Sequence, residues 1–137
     1  MWWMYALLSA LFAALTALFA KLGVSKIPPD LATAIRTAVV LILTWSIVVA
    51  KGEWRHMASL NRQGLFFLLL SGLATGTSWL FYFKALRLGK VSQVAPLDRL
   101  SVALTIVLAA IFLGEKLAWK SALGALLIIA GTLVLVL

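Results

Sequence analysis

Five apolar runs of about twenty residues divide this chain, with only short polar connections between them. They extend from about Trp3 to Ala20, Leu31 to Ala50, Leu65 to Phe83, Val94 to Leu113 and Ala118 to Leu137. A hydrocarbon core about 30 Å thick is crossed by roughly 20 residues of helix. A backbone in lipid has no water to bond, so each run must satisfy its own N–H and C=O groups as a helix. The expected fold is an all-α integral membrane protein, a bundle of five transmembrane helices forming one domain over residues 1–137. Composition agrees, with 64% hydrophobic and only 12% charged residues. That charged share is about half that of soluble domains, which excludes both a water-soluble enzyme and a disordered chain.

The residues between the runs punctuate them. Pro28 and Pro29 precede the second span, and Asp30 is the expected N-cap there. Ser92 is the expected cap of the fourth. Pro96 falls in that span's first turn, where a missing N–H costs little and no kink is required. Trp2, Trp3, Tyr5, Trp45, Trp79, Tyr82 and Trp119 lie near span ends, where an interfacial aromatic belt would form. The first run has no basic leader and exceeds a signal-peptide core, so it is read as a retained span.

The formal charge is +8, from 12 basic and 4 acidic residues. The basic residues sit between apolar runs, where anionic lipid headgroups would meet them, so the expected partner is the bilayer rather than nucleic acid. Their placement barely orients the chain. The connections after spans one and three carry Lys21, Lys26, Lys84, Arg87 and Lys90; those after spans two and four carry Lys51, Arg55, Arg62, Lys116 and Lys120. Arg36 and Arg99 tip this five-against-five to seven against five. Two readings follow. Either other features decide the orientation, or the chain inserts both ways and pairs as an antiparallel homodimer, recreating the inverted repeat of many transporters.

Charges inside a span need a reason, because an Arg or Asp at mid-membrane costs about 2.5–3.5 kcal/mol on insertion scales. Arg36 lies a few residues into span two, and Asp98 and Arg99 a few residues into span four, all approaching from one membrane side. Asp98 is the only acid within a span, and Arg36 is its expected interhelical partner. Such a pair either fixes packing, with the arginines snorkelling outward, or forms a gate, an anion site or a proton-titrating carboxylate. Milder polar residues form helical stripes: Asp98, Ser101 and Thr105; Ser71, Thr75, Ser78, Trp79 and Tyr82; Ser9, Ala13, Thr16 and Ala20. Stripes of this kind line helix contacts or a cavity. Trp79 and Tyr82 suit either a flat or cationic solute or an interfacial anchor. The candidates for substrate or ion coupling are Arg36, Asp98, Ser101, Thr105, Thr75 and Trp79. Gly72 and Gly76 make a GxxxG pair, and Gly124 and Gly131 lie seven apart, so these four are expected at close helix contacts within or between copies.

No catalytic constellation is visible. There is no cysteine, one histidine (His56, in a charged connection) and no phosphate-binding Gly-rich loop ending in Lys-Ser/Thr. An enzyme, a metal centre and a bound cofactor are not expected.

The order of several short motifs resembles the EamA domain of the drug/metabolite transporter superfamily. They are Arg36 in span two; Lys84, Ala85, Leu86, Arg87, Leu88 and Gly89 leading to Val94, Ala95, Pro96, Leu97 and Asp98; and Phe112, Leu113, Gly114, Glu115 and Lys116 before the last span. Most members carry two five-span units in tandem. This chain has one, half of a ten-helix transporter, and resembles the short five-span bacterial and archaeal branch. The last span, with Gly124, Leu127, Ile128 and Gly131, is also similar to the dimerisation helix of the small multidrug resistance family, whose first span holds a glutamate that this chain lacks. The resemblance implies a secondary transporter of small metabolites or drug-like solutes in the cytoplasmic membrane, working as a dimer by alternating access. The alternatives are a flippase for a lipid-linked amphiphile and a non-transporting membrane subunit.

Overall fold

A computed structural model describes all 137 residues and contains helices and no strands. Five helical stretches are long and apolar enough to cross a membrane. They are α1 (Trp2–Val24), α2 (Pro29–Ala50), α3 (Arg62–Leu88), the consecutive pair α4 (Val91–Asp98) and α5 (Leu100–Phe112), and α6 (Trp119–Val136). A short 3₁₀ segment, Glu53–Ser59, follows α2.

The expected boundaries hold to within a few residues, and the differences have local causes. The α2 helix starts at Pro29, whose fixed φ is pre-organised for a first helical residue, so extended Pro28 is the N-cap and Asp30 is not. Asp30 sits instead in the first turn, where its charge faces the positive end of the helix dipole. The α3 helix begins earlier than expected because Asn61 caps it: its side-chain oxygen accepts the N–H of Gln63 at 2.9 Å. It then runs past Phe83 to Leu88, with Arg87 in its last turn, where cations suit the dipole. Lys90, not Ser92, is the N-cap of the fourth span.

That earlier start places Pro96 well inside α4, where it removes a donor from the ladder, and the span is broken three residues later, at Arg99. Across the break the Arg99 N–H bonds back to Pro96 O and the Val102 N–H to Arg99 O, each at 3.0 Å and each one residue tighter than an α-helix. The expectation that Pro96 falls in the first turn of the fourth span is corrected accordingly. The α5 helix ends where Gly114 adopts φ +67°, and the Glu115 N–H reaches back to Ala109 O at 3.3 Å.

The residues group into two compact units. One comprises Met1–Ala17 and Leu88–Leu137. In it α6 packs against α4 and α5. Its buried residues are small: Ala17, Ala103, Ala125 and Thr132. Small side chains let helix backbones approach in lipid, where no hydrophobic force drives them together. The Thr132 hydroxyl donates to Pro96 O at 3.2 Å, tying α6 to the proline turn of α4.

The other unit is Leu18–Arg87. Its buried residues are Ala20 and Val24 at the end of α1, Ala32 and Thr33 at the start of α2, and Phe83 and Leu86 near the end of α3. Val24 and Leu86 are fully enclosed. The remaining lengths of α2 and α3 expose large apolar residues, among them Leu41, Ile42, Leu43, Phe67, Leu69 and Leu73.

Candidate substrate site

The polar groups of the Leu18–Arg87 unit gather beside its buried residues. Arg36 lies seven residues past the start of α2, about 10 Å along the helix axis. Its guanidinium carbon is 4.0 Å from the centroid of the Trp79 ring and 5.4 Å from that of Phe83. Trp79 and Phe83 are one helical turn apart on α3, so both rings stand on the face that Arg36 reaches. A cation over a ring gains about 0.5–1 kcal/mol when exposed and about 2 when desolvated. That offsets only part of the roughly 2.5–3.5 kcal/mol cost of an arginine at the centre of a span. No carboxylate or carbonyl of the Leu18–Arg87 unit engages the guanidinium.

Two further ties lie beyond Phe83 on α3. The Lys21 ammonium donates to Leu86 O, a carbonyl of the last turn that has no helical partner. Lys84 Nζ lies 3.3 Å from Asp30 Oδ1, joining the end of α3 to the start of α2. Both side chains of this pair are more than half exposed, so it orients the helix ends more than it stabilises them.

A cleft of about 540 Å³ opens between α2 and α3, lined by Asp30, Thr33 and Thr37 on one side and Gly72, Gly76 and Thr77 on the other. The volume suits a small solute. Gly72 and Gly76 shape it by having no side chains, since a Cβ added to either would meet nothing within 4 Å. The hydroxyls of Thr33, Thr37 and Thr77 are turned back to carbonyls one turn earlier, at 2.9, 2.7 and 2.9 Å. The wall is therefore largely hydrocarbon.

The sequence-based candidates divide between the units. Arg36 and Trp79 are in direct contact. Thr75 shares α3 with them, and its hydroxyl is bonded to Ser71 O at 2.8 Å. Asp98, Ser101 and Thr105 belong to the other unit, and the break at Arg99 leaves Asp98 ending α4 while Ser101 and Thr105 lie on α5. Arg36 faces rings within its own unit, where Lys84 pairs with Asp30, and Asp98, the partner expected for Arg36, belongs to the other unit. Gly124 and Gly131, like Gly72 and Gly76, would accept a Cβ with nothing within 4 Å, so none of the four is a close helix contact inside the chain. His56 is exposed in the 3₁₀ segment. Sequence reasoning missed Phe83, whose position one turn beyond Trp79 was the available signal. It also missed Lys84 with Asp30 and Thr132 with Pro96, which no spacing announces.

The EamA-like transporter family matches residues 1–137. An uncharacterized transporter in the cobO 3′ region of a Sinorhizobium species is 52% identical over 134 residues, covering 98% of this chain and 95% of that protein. An uncharacterized protein of Methanocaldococcus jannaschii is 30% identical over 129 residues, covering 94% of this chain and 91% of that protein. No solved structure matches the chain.

Proposed function

The chain belongs to the EamA-like transporter family, and on that premise we propose that it is a secondary transporter of small organic solutes in the cytoplasmic membrane, acting as a homodimer by alternating access. Its role is transport rather than catalysis. The observation that carries this reading is the uncovered face of α2 and α3. There a cleft of solute size opens between two helices that also carry the arginine and its rings, and the most apolar stretch of α3 is not buried. Five spans are few to enclose a pathway, and a second copy supplies the missing wall. Gly72, Gly76, Gly124 and Gly131, open within the chain, are the surfaces that a second copy would meet. The near-balanced basic residues of the two loop sets favour an antiparallel pair.

Arg36, Trp79 and Thr75 form the solute side of this reading, and Asp98, Ser101 and Thr105 the coupling side. The test is tracer exchange by purified protein in liposomes, joined to cross-linking. The chain has no cysteine, so a single cysteine introduced at residue 72 or 124 reports only on its own position. Saturable exchange together with disulfide-linked dimers is the expected result. Movement of labelled lipid without solute exchange would mark a flippase. The absence of any flux would mark a non-transporting subunit.

A further inference from the structure

We propose that the edge of the Arg36 guanidinium, held over Trp79 and Phe83, is an oxyanion-binding point, and that the solute carried is a small organic anion with an apolar or aromatic body. This inference rests on the transport reading above and names its substrate class.

The guanidinium carbon lies over Trp79, 4.0 Å from the ring centroid, and the cation itself is planar. The five N–H donors lie in that plane, on the edge, as a rigid fork that matches a carboxylate or phosphate with two parallel hydrogen bonds. The Tyr82 phenol interacts electrostatically with the guanidinium, and no carboxylate of the Leu18–Arg87 unit pairs with it. The chain has four acids. Asp30 is taken by Lys84. Glu53 begins the 3₁₀ segment beyond the far end of α2, and Asp98 and Glu115 belong to the other unit. A permanently charged fork within a span, lying over rings and lacking a counter-charge in its own unit, is matched by an anion that arrives from outside the chain. The same rings offer a flat apolar surface to the remainder of such a solute.

Arg55 provides the contrast. It also lies over a tryptophan, Trp54, at 5.7 Å. Both residues are in the exposed 3₁₀ segment outside the spans, where water satisfies the fork.

An oxyanion has two sources here, a dissolved organic acid and a phospholipid headgroup. Full-length protein in dodecyl maltoside micelles, which contain no phosphate, separates them. Equilibrium dialysis with radiolabelled benzoate, indole-3-acetate, hexanoate and phenyl phosphate is compared with benzylamine and benzamide. At least one anion is expected to bind saturably and in preference to both ring analogues. Arg36→Gln should weaken that binding by about ten- to a hundredfold, the loss expected for hydrogen bonds to a charged group. Arg36→Lys, which keeps the charge without the planar fork, should recover only a small part and provides a second variant should Arg36→Gln fold poorly. Trp79→Leu should weaken binding while the charge stays. Arg55→Gln should change nothing.

Equal binding of benzamide and benzoate, unchanged affinity in both Arg36 variants, or no binding of any of the four anions at millimolar concentration overturns the inference. Phosphatidylglycerol titrated into the micelles decides the source. Arg36-dependent binding of the lipid that exceeds that of every dissolved anion assigns the fork to a headgroup and overturns the cargo class. Liposome flux keeps the two readings apart. Exchange of cations or neutral solutes with anions excluded sinks the anion inference and leaves transport standing. Arg36-dependent anion binding without flux of any class sinks transport and leaves the site.

Discussion

Leu86 is completely enclosed, and truncating it to alanine measures how far the unfolded reference of this protein is lipid rather than water. In a soluble core, Leu→Ala costs about 2.7–5 kcal/mol, the sum of a transfer part for the lost carbons and a part for the cavity left behind. The transfer part is about 0.8 kcal/mol per carbon, or about 2.4 for the three carbons removed. When α3 separates from α1 and α2 inside a bilayer, Leu86 exchanges protein for acyl chains that are as apolar as itself. The transfer part then vanishes and about 0.3–2.6 kcal/mol remains. Leu86 has no exposed surface to collapse onto, so the upper half of that range is expected, near 1.5–2.5 kcal/mol. Leu73 on the same helix is 71% exposed, and Leu73→Ala should cost less than about 0.5 kcal/mol. The measurement is reversible unfolding in mixed micelles as dodecyl sulfate is titrated in, with helix separation read by fluorescence. A loss above about 4 kcal/mol for Leu86→Ala would show that the segment meets water on unfolding and refute the lipid reference. Equal losses for the two variants would refute the enclosed core at the end of α1, α2 and α3.

The same titration applied to Thr132→Val, which removes the bond to Pro96 O, should show a loss of about 0.6 kcal/mol and no more than about 1.7, because Arg99 still satisfies that carbonyl. A larger loss would mean that the bond holds the break between α4 and α5 together. A Cβ at Gly72 or Gly124 has room within the chain, so folded yield should be unchanged in Gly72→Ala and Gly124→Ala, while the dimer should dissociate about tenfold more readily if either glycine meets a second copy. Reduced folded yield would contradict the open space seen around both. Three lysines added between Ala50 and Leu65 should bias reporter fusions to one orientation and lower flux, with recovery on co-expression of an oppositely biased copy. A single orientation in the unaltered chain would exclude the antiparallel pair.

The spans were legible because their signal is long: twenty apolar residues survive any error of two or three at each end. What the sequence hid was local and depended on register. Pro96 reads as harmless when the helix is started near Val94, and becomes a breaker once Lys90 proves to be the cap, a shift of only three residues. Asp30 has the side chain of a cap, but Pro29 has the backbone of a first helical residue, and backbone preference decided. Arg36 and Trp79 were both recognisable as polar or amphipathic outliers in apolar runs. Their contact was not, because charge arithmetic points an arginine toward an aspartate, and the ring face that competes for it has no formal charge to count.

That competition also explains where this chain packs. In water, apolar side chains would gather along the whole of α1, α2 and α3. In a bilayer, lipid solvates Leu41, Leu69 or Leu73 as well as another helix does, so exposure along those lengths carries no penalty. Polar groups have no such alternative. The unpaired carbonyl of Leu86 takes the Lys21 ammonium, Lys84 takes Asp30, and the Arg36 cation takes the rings of Trp79 and Phe83. Each brings its helix with it, and Val24, Thr33, Phe83 and Leu86 are enclosed where those ties lie. Apolar burial in this unit thus coincides with polar pairing. Arg36, the one member of the set held by rings rather than by an acceptor, stands where the polar cluster gives way to exposed helix. A solute anion bound there would add a further tie of the same kind, and would draw α2 and α3 toward it by the same means that already hold their ends.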